Sequence, residues 1–204
     1  MQSSAAFRVS RETEAALDHY CDLLLDWQKR INLVGPATLS DVRERHIADS
    51  LRVMELYQEP LRWVDIGSGA GFPGLVTGIV LKQFGSGWVH LVESNNKKAA
   101  FLRKVILDTG ARASVHAVRI EQSYEAVGGV DAISARALAD LRTLLTLCLP
   151  WLEQGKCFAA FHKGRDFARE VVDARSEFGF DLVKHDSRVA NESVILEIRN
   201  VARL

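Results

Sequence analysis

The chain has 204 residues, of which 48% are hydrophobic and 25% are charged, a composition typical of a folded domain with room for an appendage. Its 26 basic and 26 acidic residues give a formal net charge of zero, so any binding to nucleic acid requires a local basic patch. The first residues lack the pattern of a signal peptide, and no apolar stretch approaches the ~20 residues that a membrane span needs. We therefore expect a cytoplasmic protein that does not enter the membrane.

The cysteines and histidines give no sign of a metal site. Cys21, Cys148 and Cys157 are odd in number, far apart and in apolar surroundings, as expected of free thiols in a reducing compartment. Their spacing to one another and to the histidines is not that of metal ligands, so we predict no bound metal.

The first part of the sequence has the periodicity of helices. Apolar residues three and four apart form one stripe of an amphipathic helix: Leu17, Tyr20, Leu24, Trp27 and Ile31. Thr38 and Asp41 predict a capping-box start for a second helix, which carries further apolar residues on one side. We interpret residues 1–58 as an N-terminal helical cap.

From residue 59 onward, predicted strands alternate with predicted helices. The strands span 62–66, 88–93, 113–118, 130–134 and 156–162, and the helices that follow them span 73–84, 95–109, a short piece after Glu121, 137–149 and 166–178. Such alternation is typical of a parallel sheet with helices on both faces. Two final strands, 181–189 and 194–201, have no helix between them and predict an antiparallel closing pair. The expected fold is a doubly wound, Rossmann-like α/β domain over residues 59–204 that forms one compact unit with the cap.

A glycine-rich loop follows the first predicted strand. Residues 63–75 read WVDIGSGAGFPGL, and the stretch from Gly69 to Gly74 matches the dinucleotide-binding pattern G-x-G-x-x-G. In open α/β sheets, ligands bind beyond the carboxyl ends of the strands, which makes this loop a strong candidate site. Glycines let the backbone turn tightly and let a ligand approach closely.

The acid before the loop separates two kinds of ligand. Asp65 stands two residues before Gly67, and like charges about 4 Å apart cost roughly 1 kcal/mol in water and ~4 kcal/mol at a surface-like dielectric. A pyrophosphate would be repelled there, whereas a ligand with a sulfonium and an ammonium group would gain. The additional glycine at 67 also fits a methyltransferase loop better than the bare dinucleotide pattern does. We therefore predict S-adenosylmethionine as the cofactor, held by Asp65, Gly67, Ser68, Gly69 and Gly71.

A second acidic residue ends the second predicted strand. Glu93 lies 26 residues after Gly67, where its carboxylate can accept both ribose hydroxyls of an adenosine. Sites for nicotinamide dinucleotides use the same arrangement, so Glu93 indicates adenosine without separating the two cofactors. At the end of the third predicted strand, Ile120 and Glu121 are positioned to frame the adenine, although Glu121 also fits the start of a helix.

Six segments together resemble one family of proteins. They are INLV (31–34), RHIADSL (45–51), VDIGSGAGFPGL (64–75), LVESNNKKAAFLRKV (91–105), VRIEQ (118–122) and SARAL (134–138). The chain is similar over nearly its whole length to the RsmG family, also called glucose-inhibited division protein B. The resemblance implies a class I methyltransferase that places a methyl group on N7 of one guanine in 16S ribosomal RNA. It also implies that the cofactor is contacted by Gly67, Phe72, Ile120, Glu121 and Arg136. The chain departs from the usual pattern of the family at Gln28, Val34 and Ala135.

Methylation of guanine N7 requires little chemistry of the protein. N7 carries an exposed lone pair at neutral pH, and its attack on a sulfonium methyl releases no proton, so we predict no general base. The protein must instead align the reacting atoms and exclude water. We expect Arg136 to hold the cofactor, a phosphate or guanine O6 alone, because a fork to both O6 and N7 would block the nucleophile. The alternative for Arg136 is a surface ion pair with Asp131 or Asp140.

RNA contacts are expected from a local patch because the net charge is zero. We predict them from Arg45 and His46 on the second helix and from Lys163 and Arg165 after the fifth strand. His46 and Asp49 lie three residues apart, so a local helix pair is the alternative for His46. The expected partner is 16S rRNA or the small ribosomal subunit, bound by a monomer. Two other functions stay open: a methyltransferase for a small molecule or a protein, and a non-catalytic nucleotide-binding factor for ribosome assembly.

Overall fold

The computed structural model of the chain describes residues 7–39, 41–187 and 193–204. The N-terminal part consists of helix α1 (Arg11–Gln28), a 3-10 turn (Pro36–Thr38), and a π-helical turn (Val42–Ile47) that runs directly into helix α2 (Ala48–Leu56). Ser10 caps α1, because its hydroxyl oxygen accepts a hydrogen bond from the backbone N–H of Thr13. The predicted apolar stripe is confirmed for Leu17, Tyr20 and Leu24, which are fully buried, whereas Ile31 lies beyond the end of α1.

The predicted capping box of the second helix is wrong. The Thr38 hydroxyl donates to the carbonyl of Gly35 at 2.9 Å, and the side chain of Asp41 makes no capping hydrogen bond. Thr38 Oγ1 also lies 3.0 Å from His46 Nε2. The hydroxyl that was expected to start the helix therefore contacts a side chain within the helical segment instead of its first N–H groups.

Within the described residues, seven strands form one sheet in the order β3-β2-β1-β4-β5-β7-β6. They are β1 (Arg62–Ile66), β2 (Trp88–Val92), β3 (Ala113–His116), β4 (Ala132–Arg136), β5 (Phe158–Lys163), β6 (Phe178–Asp186) and β7 (Val194–Arg203). The first five are paired in parallel, and β7 lies antiparallel between β5 and β6. The prediction of a mostly parallel, doubly wound sheet with an antiparallel closing pair is confirmed.

Several strand boundaries differ from the prediction by one to three residues, and two of these differences affect the site or the sheet. Strand β4 lies two residues later than expected, so Arg136 ends the strand itself. Strand β6 starts at Phe178, inside the stretch predicted as a helix, because Phe178 and Phe180 are buried on one face of the sheet. Residues 188–189 of the predicted strand lie outside the described residues.

Helices cover both faces of the sheet. They are α3 (Gly74–Phe84), α4 (Asn96–Thr109), α5 (Ser123–Val127), α6 (Leu141–Leu152) and α7 (Phe167–Ala174). One hydrophobic cluster joins the N-terminal helices to α3 and α4, around Tyr20, Trp63 and Phe101. A second cluster on the other face joins α6 and α7 to the strands, around Trp151 and Phe161. None of the described helices is both long and apolar enough to cross a membrane.

The two clusters locate the switch point of the sheet. Strands β1 and β4 are neighbours, but the helices that follow them, α3 and α6, pack on opposite faces. The chain therefore leaves these two strands in opposite directions, and a crevice opens beyond their carboxyl ends, where doubly wound sheets bind their ligands.

Candidate functional site

A cavity of about 560 Å³ opens at this switch point. Its volume lies in the range of small-molecule sites. The walls come from the glycine loop after β1, the ends of β2 and β4, the turn after β3, and the segment between α1 and α2. Nine of the predicted site residues line the cavity: His46, Gly67, Ser68, Gly69, Phe72, Glu93, Ile120, Glu121 and Arg136.

Close packing and backbone conformation explain two glycines of the loop. Gly67 has a φ of +63°, and a Cβ added there would lie 2.6 Å from Leu138 Cδ1. Gly71 has a φ of +100°, and a Cβ there would collide with the side chain of Leu75. The backbone of Gly71 shapes the turn of the loop, and its predicted contact with the cofactor stays a prediction.

Residues of the N-terminal helices hold the loop in place. Tyr20 OH donates a buried hydrogen bond of 2.5 Å to the carbonyl of Ala70. The ring of Phe72 lies between two rings of this part of the chain, with its centroid 5.3 Å from that of Tyr20 and 5.0 Å from that of His46. Because Phe72 is only 8% exposed, it forms a packed wall between the loop and the helices.

Asp65 lies beneath the loop and does not line the cavity. It is 1% exposed, and Ser134 Oγ donates to its Oδ1 at 2.6 Å. Gly74 packs so closely on it that a Cβ at that glycine would lie 2.7 Å from Asp65 Cγ. The expectation that this carboxylate lies open to a ligand is therefore wrong. Burial raises the pKa of Asp65 to about 6, and its Oδ2 has no hydrogen-bond partner among the described residues.

Glu93 at the end of β2 is held rigidly at the cavity wall. Its Oε2 accepts the backbone N–H of Gly69 at 2.9 Å, and its Oε1 accepts that of Asn95 at 2.7 Å. Each carboxylate oxygen keeps a further lone pair for another donor. Ile120 and Glu121 lie in a 3-10 turn after β3, on the same side of the cavity. The three residues predicted for the adenosine part of a ligand are thus brought together.

Arg136 and His46 form the opposite wall. Arg136 Nη2 donates to His46 Nδ1 at 2.7 Å, and Arg136 Nη1 lies 3.4 Å from Asp49 Oδ2. Burial and then the charge of Arg136 lower the pKa of His46 to about 4. The ion pair of Arg136 is therefore with Asp49, and not with Asp131 or Asp140 as the alternative held.

The predicted basic patch is only partly correct. Arg45 and Arg165 are exposed. The side chain of Lys163 is 7% exposed, ion-paired with Glu170 at 2.5 Å, and hydrogen-bonded to the carbonyl of Ala139 at 2.7 Å. Its prediction as a free phosphate contact is wrong, because a cation so placed already has its partners inside the protein.

Several further residues line the cavity. Lys98 and Arg119 line the cavity, and their side chains have no ion pair or hydrogen bond in the described part of the chain. The segment between α1 and α2 also contributes Leu33, Val34, Gly35 and Thr38. The recognisable INLV segment was the signal that could have pointed to this second group.

Solved structures of other proteins share this fold. A SAM-dependent O-methyltransferase from Thermotoga maritima gives a TM-score of 0.58 at 17% sequence identity, over 91% of this chain and 72% of that chain. A variant of MtNAS in complex with S-adenosylmethionine gives a TM-score of 0.58 at 17% identity, over 92% of this chain and 76% of that chain. These likenesses show the doubly wound, Rossmann-like fold that was predicted.

Sequence comparison narrows the class to one family. The family model GidB, described as rRNA small subunit methyltransferase G, matches residues 13–198. A relative from Rhizobium etli named Ribosomal RNA small subunit methyltransferase G is 54% identical over 198 residues, which is 97% of each chain. The chain belongs to the rRNA small subunit methyltransferase G family. The predicted RsmG resemblance and the predicted enzyme class are therefore confirmed.

Proposed function

We propose that this chain transfers the methyl group of S-adenosylmethionine to N7 of one guanine in the 16S RNA of the small ribosomal subunit. Membership of the family makes it an S-adenosylmethionine-dependent methyltransferase of small-subunit rRNA, as predicted. The alternatives, a methyltransferase for a small molecule or protein and a non-catalytic assembly factor, are not favoured by that membership. The observation that carries the proposal is a cavity with an acidic wall on one side and a wall of nitrogen donors on the other.

The acidic wall is where we place the adenosine part of the cofactor. Glu93 accepts the two ribose hydroxyls with its free lone pairs, since its other lone pairs already hold Gly69 and Asn95. Ile120 and Glu121 contact the adenine. The loop residues Gly67, Ser68, Gly69 and Phe72 lie along the rest of the cofactor, and Asp65 supports it through the loop and not by contact.

The bound cofactor supplies a methyl group on a sulfonium, which an unprotonated nitrogen lone pair can attack directly. Guanine N7 is such a nitrogen, so the protein does not have to remove a proton. The ring nitrogens of His46, which lines the cavity, are both engaged, Nδ1 with Arg136 and Nε2 with Thr38. This arrangement suits positioning and exclusion of water better than proton transfer.

RNA is bound across the mouth of the cavity. Arg45 and Arg165 are exposed basic residues, and Lys98 and Arg119 at the mouth take the place of Lys163 as phosphate contacts. The side chains of Lys98 and Arg119 make no ion pair among the described residues, so a phosphate can serve as their partner. His46, at the cavity wall, lies where a guanine brought to the methyl group would pass.

In this proposal the protein acts as a monomer in the cytoplasm. One chain supplies every described wall of the cavity, with residues 1–58 as a cap on the methyltransferase domain of residues 59–204. Cys21, Cys148 and Cys157 are free thiols, and burial raises the pKa of each. Such unreactive thiols suit a reducing compartment in which ribosomes are made.

The cofactor is tested by calorimetry with the purified chain. S-adenosylhomocysteine is expected to bind in the micromolar range and NADH is expected not to bind, because the chain belongs to a family of methyltransferases. Binding of NADH in place of S-adenosylhomocysteine would contradict the assignment.

The substrate is tested by chemical cleavage of 16S RNA. Reduction followed by aniline breaks an RNA chain at N7-methylguanine, so RNA from a strain that lacks this protein should lose one cleavage site. Treatment of that RNA, or of small subunits from the same strain, with the purified protein and S-adenosylmethionine should restore the site. An identical cleavage pattern with and without the protein would refute N7 of guanine as the target.

A further inference from the structure

The guanidinium of Arg136 is held at the cavity wall by two side chains, those of His46 and Asp49. Nη2 donates to His46 Nδ1, and Nη1 lies 3.4 Å from Asp49 Oδ2 as an ion pair. The Asp49 carboxylate is itself held by Ser187 Oγ, which donates to Oδ1 at 2.7 Å. Nη1 is buried and has no hydrogen-bond partner among the described residues. Although Nη1 is closed off, the Arg136 side chain is 20% exposed and lines the cavity, so this fixed guanidinium can present its remaining N–H groups to another molecule.

The contact with Arg136 determines the tautomer of His46. A guanidinium only donates, so His46 Nδ1 must be the acceptor and the ring proton must sit on Nε2. Nε2 lies 3.0 Å from Thr38 Oγ1, and the Thr38 hydroxyl donates its own hydrogen bond to the carbonyl of Gly35 at 2.9 Å. Each hydrogen bond in this series, from Arg136 through His46 and Thr38 to Gly35, therefore has only one possible donor and acceptor. A doubly protonated imidazole has no acceptor and would break the first link.

The charges around His46 agree with a neutral ring. Arg136 on β4 and Arg45 on the same helical segment lower its pKa, Asp49 opposes them, and burial is the largest cause of the shift to about 4. Asp49 also balances the charge of Arg136, so the wall presents N–H donors without a net positive charge. A net positive wall would oppose the cation that forms at guanine N7 during methyl transfer, at a cost of roughly 1–4 kcal/mol for charges about 4 Å apart.

We propose that His46 is a positioning residue for methyl transfer, which as a neutral acceptor fixes Arg136 so that its guanidinium donates to O6 of the target guanine. The inference rests on the proposed function and identifies Arg136 as the residue that recognises the target guanine at that same site. A neutral carbonyl oxygen fits the balanced Arg136–Asp49 pair, whereas the carboxylate of the cofactor would favour a wall with net positive charge.

The kinetic test uses two substitutions of His46 and one matched control. His46→Asn keeps an uncharged acceptor close to the place of Nδ1, and His46→Ala removes it. His90→Ala removes an imidazole whose pKa is also lowered to about 4 but which lies outside the cavity lining. Methyl transfer is measured on small subunits from a strain that lacks the protein, and the Kd of S-adenosylhomocysteine is measured by calorimetry.

The expected pattern separates a positioning role from a structural one. His46→Ala should lose roughly 10–100-fold in kcat/KM, the factor for a lost hydrogen bond to a charged group. His46→Asn should stay within about fivefold of the wild type, His90→Ala should be unchanged, and the Kd of S-adenosylhomocysteine should be the same in all four proteins. Equal losses in His46→Asn and His46→Ala, or a Kd that weakens with kcat/KM, would overturn the proposal, the latter because Arg136 would then hold the cofactor.

A spectroscopic test does not depend on the RNA substrate. Long-range ¹H–¹⁵N correlation spectra of the wild type should show His46 at neutral pH with the proton on Nε2 and none on Nδ1. A proton on Nδ1 would refute the proposal even in a fully active enzyme. If no RNA were methylated but the spectra showed the Nε2 tautomer, the proposed function would fail while the hydrogen-bond arrangement stood.

Discussion

Replacing Asp65 by asparagine should stabilise the ligand-free protein at neutral pH. Asp65 is 1% exposed, and burial raises its pKa from an ordinary value of 3.8 to about 6, in spite of the hydrogen bond from Ser134. The same group in the unfolded chain ionises at its ordinary value, so the folded protein holds the proton more tightly. Above pH 6 the folded protein therefore carries an unfavourable buried charge, which asparagine cannot carry.

The magnitude follows from the two pKa values of Asp65. The interval between 3.8 and about 6, at about 1.4 kcal/mol per pKa unit, corresponds to roughly 3 kcal/mol. This contribution to stability is fully present below pH 3.8 and is lost as the pH rises through about 6. Asparagine weakens the charge-assisted bond from Ser134, so we expect a net gain of roughly 1–3 kcal/mol at about pH 8. For a chain of this length that is a rise in Tm of roughly 3–10 °C.

The assay is the difference in the free energy of urea unfolding between the wild type and Asp65→Asn, from about pH 4 to about pH 8. Groups that titrate in both proteins cancel in this difference. The advantage of asparagine should grow as the pH rises through about 6. Asp140→Asn is a control with the opposite expected sign. Hydrogen bonds from Thr143 lower the pKa of Asp140, an exposed helix cap, so its replacement should destabilise the protein. An Asp65→Asn difference that is constant over the whole range would refute the raised pKa.

The remaining predictions concern the loop and the basic residues. Gly67→Ala should weaken binding of S-adenosylhomocysteine at least about tenfold in calorimetry, because its Cβ would lie 2.6 Å from the end of the Leu138 side chain and displace that side chain at the cavity wall. Gly85→Ala, with a φ of +71° and open space around it, should bind normally. Equal losses would contradict the packing argument. Lys163→Ala should lower the free energy of unfolding by roughly 2–4 kcal/mol, since it breaks the nearly buried pair with Glu170. The same substitution should leave the salt dependence of RNA binding unchanged, whereas Lys98→Ala should reduce its slope by about one. A shallower slope in Lys163→Ala would restore that lysine to the RNA contact surface.

The order of the fold could be predicted because its signals are local. Strand and helix periodicities alternate along residues 59–204, and a glycine loop directly after the first strand indicates where a parallel sheet binds its ligand. Glu93 and Ile120 follow from the same reasoning, because residues that end parallel strands meet at one edge of the sheet, whereas Arg136 was implied by the family resemblance. These predictions depend on spacing along the chain and not on which side chains cover one another.

Burial of single charges could not be predicted in this way. Asp65 and Lys163 both stand at the ends of strands, where an exposed position is the natural expectation. Gly74 packs onto the first, and Glu170 from α7 closes over the second, and both contacts are made by segments that follow in the chain. The start of the second helix failed for a similar reason, because the Thr38 hydroxyl finds partners in Gly35 and His46.

The bond between Tyr20 and Ala70 makes the first helix a structural part of the cofactor loop. A shortened protein that began at β1 would leave the Ala70 carbonyl and one side of Phe72 without their native neighbours. Transplanting another recognition module onto this catalytic half would therefore require an equivalent anchor for the loop. Retargeting the enzyme to a different RNA is accordingly better attempted at the exposed rim than by exchanging the whole N-terminal segment.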